Sequence, residues 1–130
     1  MTKKAYCFGH ISTGKLYRIK GAYPQANGYA EYTEILDNYC GEALSTGIVL
    51  QRLGVHTILE GNWIGDNEDG RKTLEFIKNT GISCDTVRIQ PGYSGVHEVV
   101  ISDATSRTVF GRYCDLLFTT PQWDMPTTEA

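Results

Sequence analysis

Gly41 stands between Cys40 and a helix-patterned run that begins at Glu42, and Ser45 follows one turn later. A glycine at a strand-to-helix corner lets backbone come close to a ligand, and the helix tip behind it presents unpaired N–H groups. A residue three to four positions on, such as Ser45, lies along the same face. A second glycine-rich stretch, Gly61-Asn-Trp-Ile-Gly65-Asp66, runs on through Asn67, Glu68 and Asp69 to Gly70. Gly65 and Gly70 bracket a tight turn, and its acids suit the capping of a helix better than catalysis. Arg107 and Arg112 could clamp an anionic group through paired N–H donors, or be surface charges on a hairpin. Taken singly, each glycine motif also describes an ordinary turn.

Metal and redox chemistry find little support. The cysteines are Cys7, Cys40, Cys84 and Cys114, with no CxxC pair among them. His10, His56 and His97 sit singly within strand-like runs, without HxxxH or HExxH spacing. No metal site is expected, and free, buried thiols are the default for the cysteines. The net charge of −3 draws the chain toward no nucleic acid. One local asymmetry stands out: Lys3, Lys4, Lys15, Arg18 and Lys20 all precede the first acid, Glu31. They read as a phosphate-attracting patch or as the solvated flanks of strands. No apolar run approaches the ~20 residues of a membrane helix. The start of the chain also lacks the cleavage site of a secretory signal, so a cytoplasmic protein is expected.

The elements that must position these groups are legible in outline. A chain of 130 residues, 41% apolar, can bury the core of one domain. Ala5 to Ile11 reads as a buried strand of a parallel sheet. Leu16 to Ile19 and Tyr29 to Leu36 read as short, half-exposed strands joined by the loop Gly21 to Gly28. Glu42 to Leu53 predicts a helix whose wide apolar arc should be mostly buried, and Gly54 is placed to end it. A strand centred on Thr57 to Leu59 follows. Asp66 or Asn67 can cap a second helix with Leu74, Phe76 and Ile77 on its apolar face, closed by Gly81. Two strand–helix units in sequence imply a parallel sheet. Val96 to Ile101 and Arg107 to Phe110 then flank Ser102 to Ser106 as an antiparallel hairpin. The tail from Thr119 to Ala130 carries two prolines and no clear periodicity.

The order of these signals carries more than any one of them. Cys40-Gly41-Glu-Ala-Leu-Ser45 opens the first helix and Leu53-Gly54 ends it. Gly61-Asn-Trp-Ile-Gly65-Asp66, Thr80-Gly81-Ile82, Asp85-Thr86 and Ser94-Gly95-Val96 follow in turn. This running order resembles the PfkB/ribokinase family of sugar kinases, over roughly Ala5 to Tyr113. The resemblance implies an α/β, ribokinase-like fold. Its parts would be a mostly parallel sheet with flanking helices and a small antiparallel β lid, incomplete relative to the full family fold. Residues 1–130 would be one N-terminal portion, with lid segments at about 15–38 and 93–113. The nucleotide-binding part would be absent, because the Gly-Ala-Gly-Asp-like motif that holds phosphate and activates the sugar hydroxyl does not occur.

The resemblance further implies transfer of the γ-phosphate of ATP to a hydroxyl of a sugar-like substrate, this chain supplying the substrate and lid half. ATP and Mg2+ would serve the complete enzyme, and neither is expected to bind this chain alone. No catalytic residue is expected here. The substrate-binding positions would be Ser12, Gly14, Gly41, Ser45, Arg107 and Arg112. Three of the family's positions depart from its pattern. Gly14 falls where the family usually has an aspartate, Ser45 where it has an asparagine, and Cys40 where it has the first glycine of a pair. Ser12 and Ser45 could still offer hydroxyls. Tyr17, Tyr23, Tyr29 and Tyr32 cluster in the lid and could stack on a sugar, build a homodimer or simply pack. Two other readings remain open: a non-catalytic module that binds sugar or dimerises through the lid, and an unrelated two-layer α/β domain.

Overall fold

The computed structural model describes residues 3–113 and residue 122. The elements run β1 (Lys4–Gly9), β2 (Ser12–Ile19), β3 (Tyr32–Cys40), α1 (Glu42–Arg52), β4 (His56–Gly61), α2 (Glu68–Asn79), β5 (His97–Ser102) and β6 (Arg107–Arg112). Two sheets result. β1 and β4 pair in parallel, from Lys4 opposite His56 to Gly9 opposite Gly61. Parallel bridges at Ile58–Ser83 and Ile64–Ile89 continue this layer beyond β4. The other sheet has the order β3-β2-β5-β6, antiparallel at both outer pairs and parallel where β2 meets β5.

The core lies where α1 and α2 cover the parallel layer. Cys7 and Leu59 from the strands meet Ala43 and Leu44 from α1, Ile77 from α2, and Ile82, Cys84 and Val87 beyond it. The apolar stripe of α1 is wider than the surface beneath it. Ala43, Leu44 and Gly47 are buried, but Val49 is 57% exposed and Leu53 75% exposed. The expectation of a mostly buried α1 is therefore corrected: β1 and β4 cover one side of the helix only.

Of the two candidate caps for α2, Asn67 does the work: its side chain accepts the Gly70 N–H at 2.9 Å, relieving an orphan donor of the first turn. Asp66 turns outward, pairing with Arg71 and accepting the Gly92 N–H. The buried side of α2 carries Thr73 and Ile77. Phe76 stacks on Tyr39 of β3 with ring centroids 4.4 Å apart. That contact ties the helix to the four-stranded sheet.

The hairpin predicted over 96–110 forms as β5 and β6. The two strands before α1 are longer than their sequence suggests: β2 begins at Ser12, and β3 runs on to Cys40. Gly14, Asp37 and Asn38 are poor strand formers. They are held extended because β2 is flanked on both sides, by β3 and by β5. Tyr29, expected to open a strand, lies ahead of β3 and is 81% exposed. Cys7 and Cys84 are buried free thiols and Cys40 is a half-buried one; Cys114 and the 119–130 tail lie outside the described residues. Among the described residues no helix is long and apolar enough to cross a membrane.

Candidate functional site

β1 ends at Gly9, and the chain turns through His10 and Ile11 into β2. Two features hold this turn. The first is Gly41, which caps α1 with φ 108° and ψ 153°. A Cβ there would lie 2.2 Å from the His10 carbonyl oxygen, so only glycine allows both the backbone angle and the approach. The second is Asn62, 1% exposed, at the exit of β4. Its Oδ1 accepts the Ile11 N–H at 2.7 Å, and its Nδ2 donates to the carbonyls of Ile11 at 2.9 Å and Trp63 at 3.0 Å. Every buried backbone group of Ile11 is thereby satisfied.

The residue after Ile11 is Ser12, buried at the start of β2. Cross-strand register sets what surrounds it. Ser12 lies opposite Cys40, and Gly14 lies opposite both Asn38 of β3 and Glu98 of β5. Residues opposite one another share a face, so Ser12, Asn38, Cys40 and Glu98 emerge together. They are hydrogen-bonded in a chain. Ser12 Oγ lies 3.0 Å from Cys40 Sγ, Asn38 Nδ2 donates to that sulfur at 3.5 Å, and the thiol donates to Glu98 Oε2 at 3.3 Å. Tyr113 completes the cluster, its hydroxyl donating to Glu98 Oε1 at 2.8 Å. The His10 ring packs on Tyr113 at 5.3 Å, and its Nδ1 lies 3.4 Å from Glu42 Oε2 in the first turn of α1.

The electrostatics keep the donors protonated. The hydrogen bond to Glu98, then burial and the carboxylate's charge, push the Tyr113 hydroxyl up to about 12. Burial pushes the Cys40 thiol up; the Ser12 hydrogen bond opposes this and the charge of Glu98 reinforces it. The site is thus one carboxylate ringed by neutral donors, with a hydroxyl and a helix tip beside it. Such a surface can accept and donate hydrogen bonds to a hydroxylated molecule.

Of the positions expected from the sequence, Ser12, Gly14 and Gly41 come together here. Gly14 is buried, and a Cβ on it would lie 1.7 Å from the Glu98 carbonyl oxygen. The close approach of β2 to β5 leaves no room for a side chain. Ser45 sits exposed on the first turn of α1. The structure does not bring the two arginines to this cluster. Arg112 lies opposite His97, on the other face of the sheet, and donates to the Ser94 carbonyl at 3.1 Å. Arg107 lies opposite Ser102 at the far end of the hairpin, four residues from Gly111 and so roughly 13 Å along the strand. Tyr17 and Tyr32 meet edge-to-face at 5.3 Å, on the face turned away from Glu98. Tyr23 and Tyr29 are exposed in the loop between β2 and β3.

Sequence reasoning missed Asn38, Asn62, Glu98 and Tyr113. For Glu98 a signal existed: it is the one acid in the apolar run Val96 to Ile101. Surface grooves are present among the described residues. One of about 470 Å³ follows the end of α2, and one of about 400 Å³ lies at the hairpin tip; neither touches Ser12, Cys40 or Glu98. Among the described residues no group of three or more His, Cys, Asp or Glu side chains could hold a metal ion.

No family model matches the sequence, and no curated protein matches it. Solved structures do. A proposed ribokinase from Agrobacterium tumefaciens superposes with a TM-score of 0.83 at 24% identity, over 96% of this chain and 40% of its own. A ribokinase from Arabidopsis thaliana, solved with ribose and ATP, gives 0.68 at 15% identity, over 86% of this chain and 36% of its own. A nucleoside kinase from Burkholderia thailandensis, solved with inosine, gives 0.69 at 16% identity, over 84% and 34%. At such identities the likeness establishes the fold. The fold of this chain is ribokinase-like in part, since it spans 40% or less of each of these structures.

Proposed function

We propose that this chain forms the substrate and lid half of an ATP-dependent kinase that transfers the γ-phosphate of ATP to a hydroxyl of a small sugar-like compound. The observation that carries the reading is the convergence at the exit of β1. The Gly41 corner, the tip of α1 and the Ser12 hydroxyl meet the polar end of a four-stranded sheet, in a fold whose solved neighbours include ribose- and inosine-bound kinases. Ribose and inosine share a pentose rich in hydroxyls. In this reading Gly41 lets the turn after β1 close against the tip of α1, Ser12 beside that turn offers the ring a hydrogen bond, and Ser45 stands at the rim. The four-stranded sheet acts as the lid. ATP and Mg2+ belong to the other half of the fold. They supply the phosphoryl group and neutralise its charge, while these residues only bind and orient the acceptor.

The test has two arms. Isothermal titration of ribose, fructose and inosine against this chain should show saturable binding of at least one. Fusing the chain to the remainder of the Agrobacterium protein should then give ADP release that depends on the same compound. A folded, ATP-binding chimera that releases no ADP with any of the three contradicts the kinase reading. A second reading, a module that dimerises through the lid, draws on one observation: the sheet face opposite Glu98 exposes Tyr32, Ile35 and Phe110.

A further inference from the structure

We propose that Glu98 is the carboxylate that accepts a hydrogen bond from a hydroxyl of the ligand, a role carried by β5 because position 14 cannot hold a side chain. The inference rests on the reading of this site as a sugar-binding one and adds the residue that discriminates among hydroxylated ligands. Three observations support it.

Glu98 is half-buried, yet among the described residues no Lys, Arg or His pairs with it. Its partners are two neutral donors, one on each oxygen: Tyr113 at 2.8 Å and the Cys40 thiol at 3.3 Å. A carboxylate brought out of water without a counter-charge is costly, and a thiol is a weak donor. Each oxygen has a further lone pair. The arrangement therefore leaves a carboxylate with unused accepting capacity.

The second observation is steric. Gly14 and Glu98 are register partners, and a Cβ on residue 14 would meet the Glu98 backbone at 1.7 Å. The missing side chain at Gly14 lets the two strands close and leaves Glu98 as the carboxylate beside Ser12 and Cys40, while Glu34 on the same face is paired with Arg18 further along the strands. The third is placement: Ser12, Asn38 and Cys40 surround it, and the Gly41 corner adjoins them. A hydroxyl that donates to Glu98 can accept in turn from the second N–H of Asn38, whose first goes to Cys40. That pairing suits a polyol, since each hydroxyl both gives and takes one hydrogen bond.

The experiment is a cycle between protein and ligand. Ribose, inosine, 2′-deoxyinosine and 3′-deoxyinosine are titrated against the wild-type chain and Glu98→Gln. The expected result is that Glu98→Gln weakens the best binder about tenfold or more, in line with loss of a charge-assisted hydrogen bond. One deoxy compound should be weakened similarly on the wild type and show little further loss on the variant. A role confined to folding would weaken every compound alike and leave the deoxy discrimination unchanged, and that outcome overturns the proposal. Binding that survives Glu98→Gln within twofold also overturns it, while leaving the sugar-binding reading intact. A wild-type chain that binds none of the four overturns both. Thermal unfolding is followed in parallel, and Glu75→Gln, on the exposed side of α2, is the control expected to bind as wild type. If Glu98→Gln does not fold, Glu98→Asp takes its place. It keeps the charge but withdraws it by one methylene, and it should lose the same discrimination; retained discrimination overturns the proposal.

Discussion

Ile11 has no side-chain role in the candidate site, but its backbone decides where Ser12 points, and the amide of Asn62 holds that backbone. Three hydrogen bonds run from one buried side chain to Ile11 and Trp63. Asn62→Ala would leave the N–H and the carbonyl of Ile11 unpaired in a site closed to water. Each stranded group costs about 1–3 kcal/mol, so the substitution should destabilise the chain by at least about 2 kcal/mol in urea unfolding. It should also weaken ligand binding through displacement of Ser12. A loss below about 0.5 kcal/mol would mean that water replaces the amide, and the pinning of the turn would be refuted. Gly41, Ser12 and the helix tip were legible in the sequence because their chemistry is local. Glu98 and Asn62 were not, because each acts across a gap of tens of residues, and Asn38 was not, because the strand that carries it to the site was not expected to run past Leu36. Only the register of β2 against β3 and β5 shows that a mid-strand glutamate belongs beside a serine near the start of the chain.

The turn between β5 and β6 is organised by one side chain. Asp103 Oδ1 accepts the backbone N–H groups of Thr105 at 2.8 Å and Ser106 at 2.6 Å. Its Oδ2 accepts the Ser106 hydroxyl at 2.8 Å and the Tyr23 N–H at 3.1 Å, tying the loop after β2 to the hairpin tip. These donors, the Thr105 and Ser106 bonds foremost, hold the carboxyl down at about 2, whereas an unfolded aspartate titrates near ~3.9. As pH falls the unfolded chain takes up the proton first, so the stabilisation is whole above about pH 4 and is lost as pH drops through about 2. The melting temperatures of wild type and Asp103→Asn should therefore differ at neutral pH and converge between about pH 4 and about pH 2. A difference that persists unchanged at pH 2 would refute the role. At the level of elements the sequence was informative where local chemistry decides. Asn67 caps α2, glycines follow both helices, and an Asp-to-Ser turn joins β5 to β6. It failed where pairing overrides propensity, at the ends of β2 and β3, and where burial depends on neighbours, along the outer side of α1.

At the scale of the molecule, the four-stranded sheet has two unlike faces. One carries the Ser12–Glu98 cluster. The other is covered near its base by α2, through Tyr39 on Phe76 and His97 beside Asp69. Toward the tip that second face is bare: Tyr32 is 59% exposed, Ile35 47% and Phe110 55%. Ile35 and Phe110 stand on opposite edge strands, with Tyr17 of β2 and Val99 and Ile101 of β5 between them, and an apolar surface that spans a sheet is a candidate interaction site. The charges among them, Lys15 and Asp37 in the same cross-strand row as Phe110, are paired with each other. A second copy of the chain offers the same surface, and a two-fold arrangement would bury both copies at once. The homodimer expected of the lid would therefore form through this face, leaving the Glu98 face open to ligand. Sedimentation velocity should show the wild-type chain as a dimer at micromolar concentration. Ile35→Asp with Phe110→Asp should give a monomer with its melting temperature nearly kept, because exposed side chains far from the core contribute little to stability. Ligand affinity should be the same in both, since the cluster around Glu98 lies on the other side of the sheet. A wild-type monomer at those concentrations, or a variant that still dimerises, would move the interface elsewhere and leave this face without a partner.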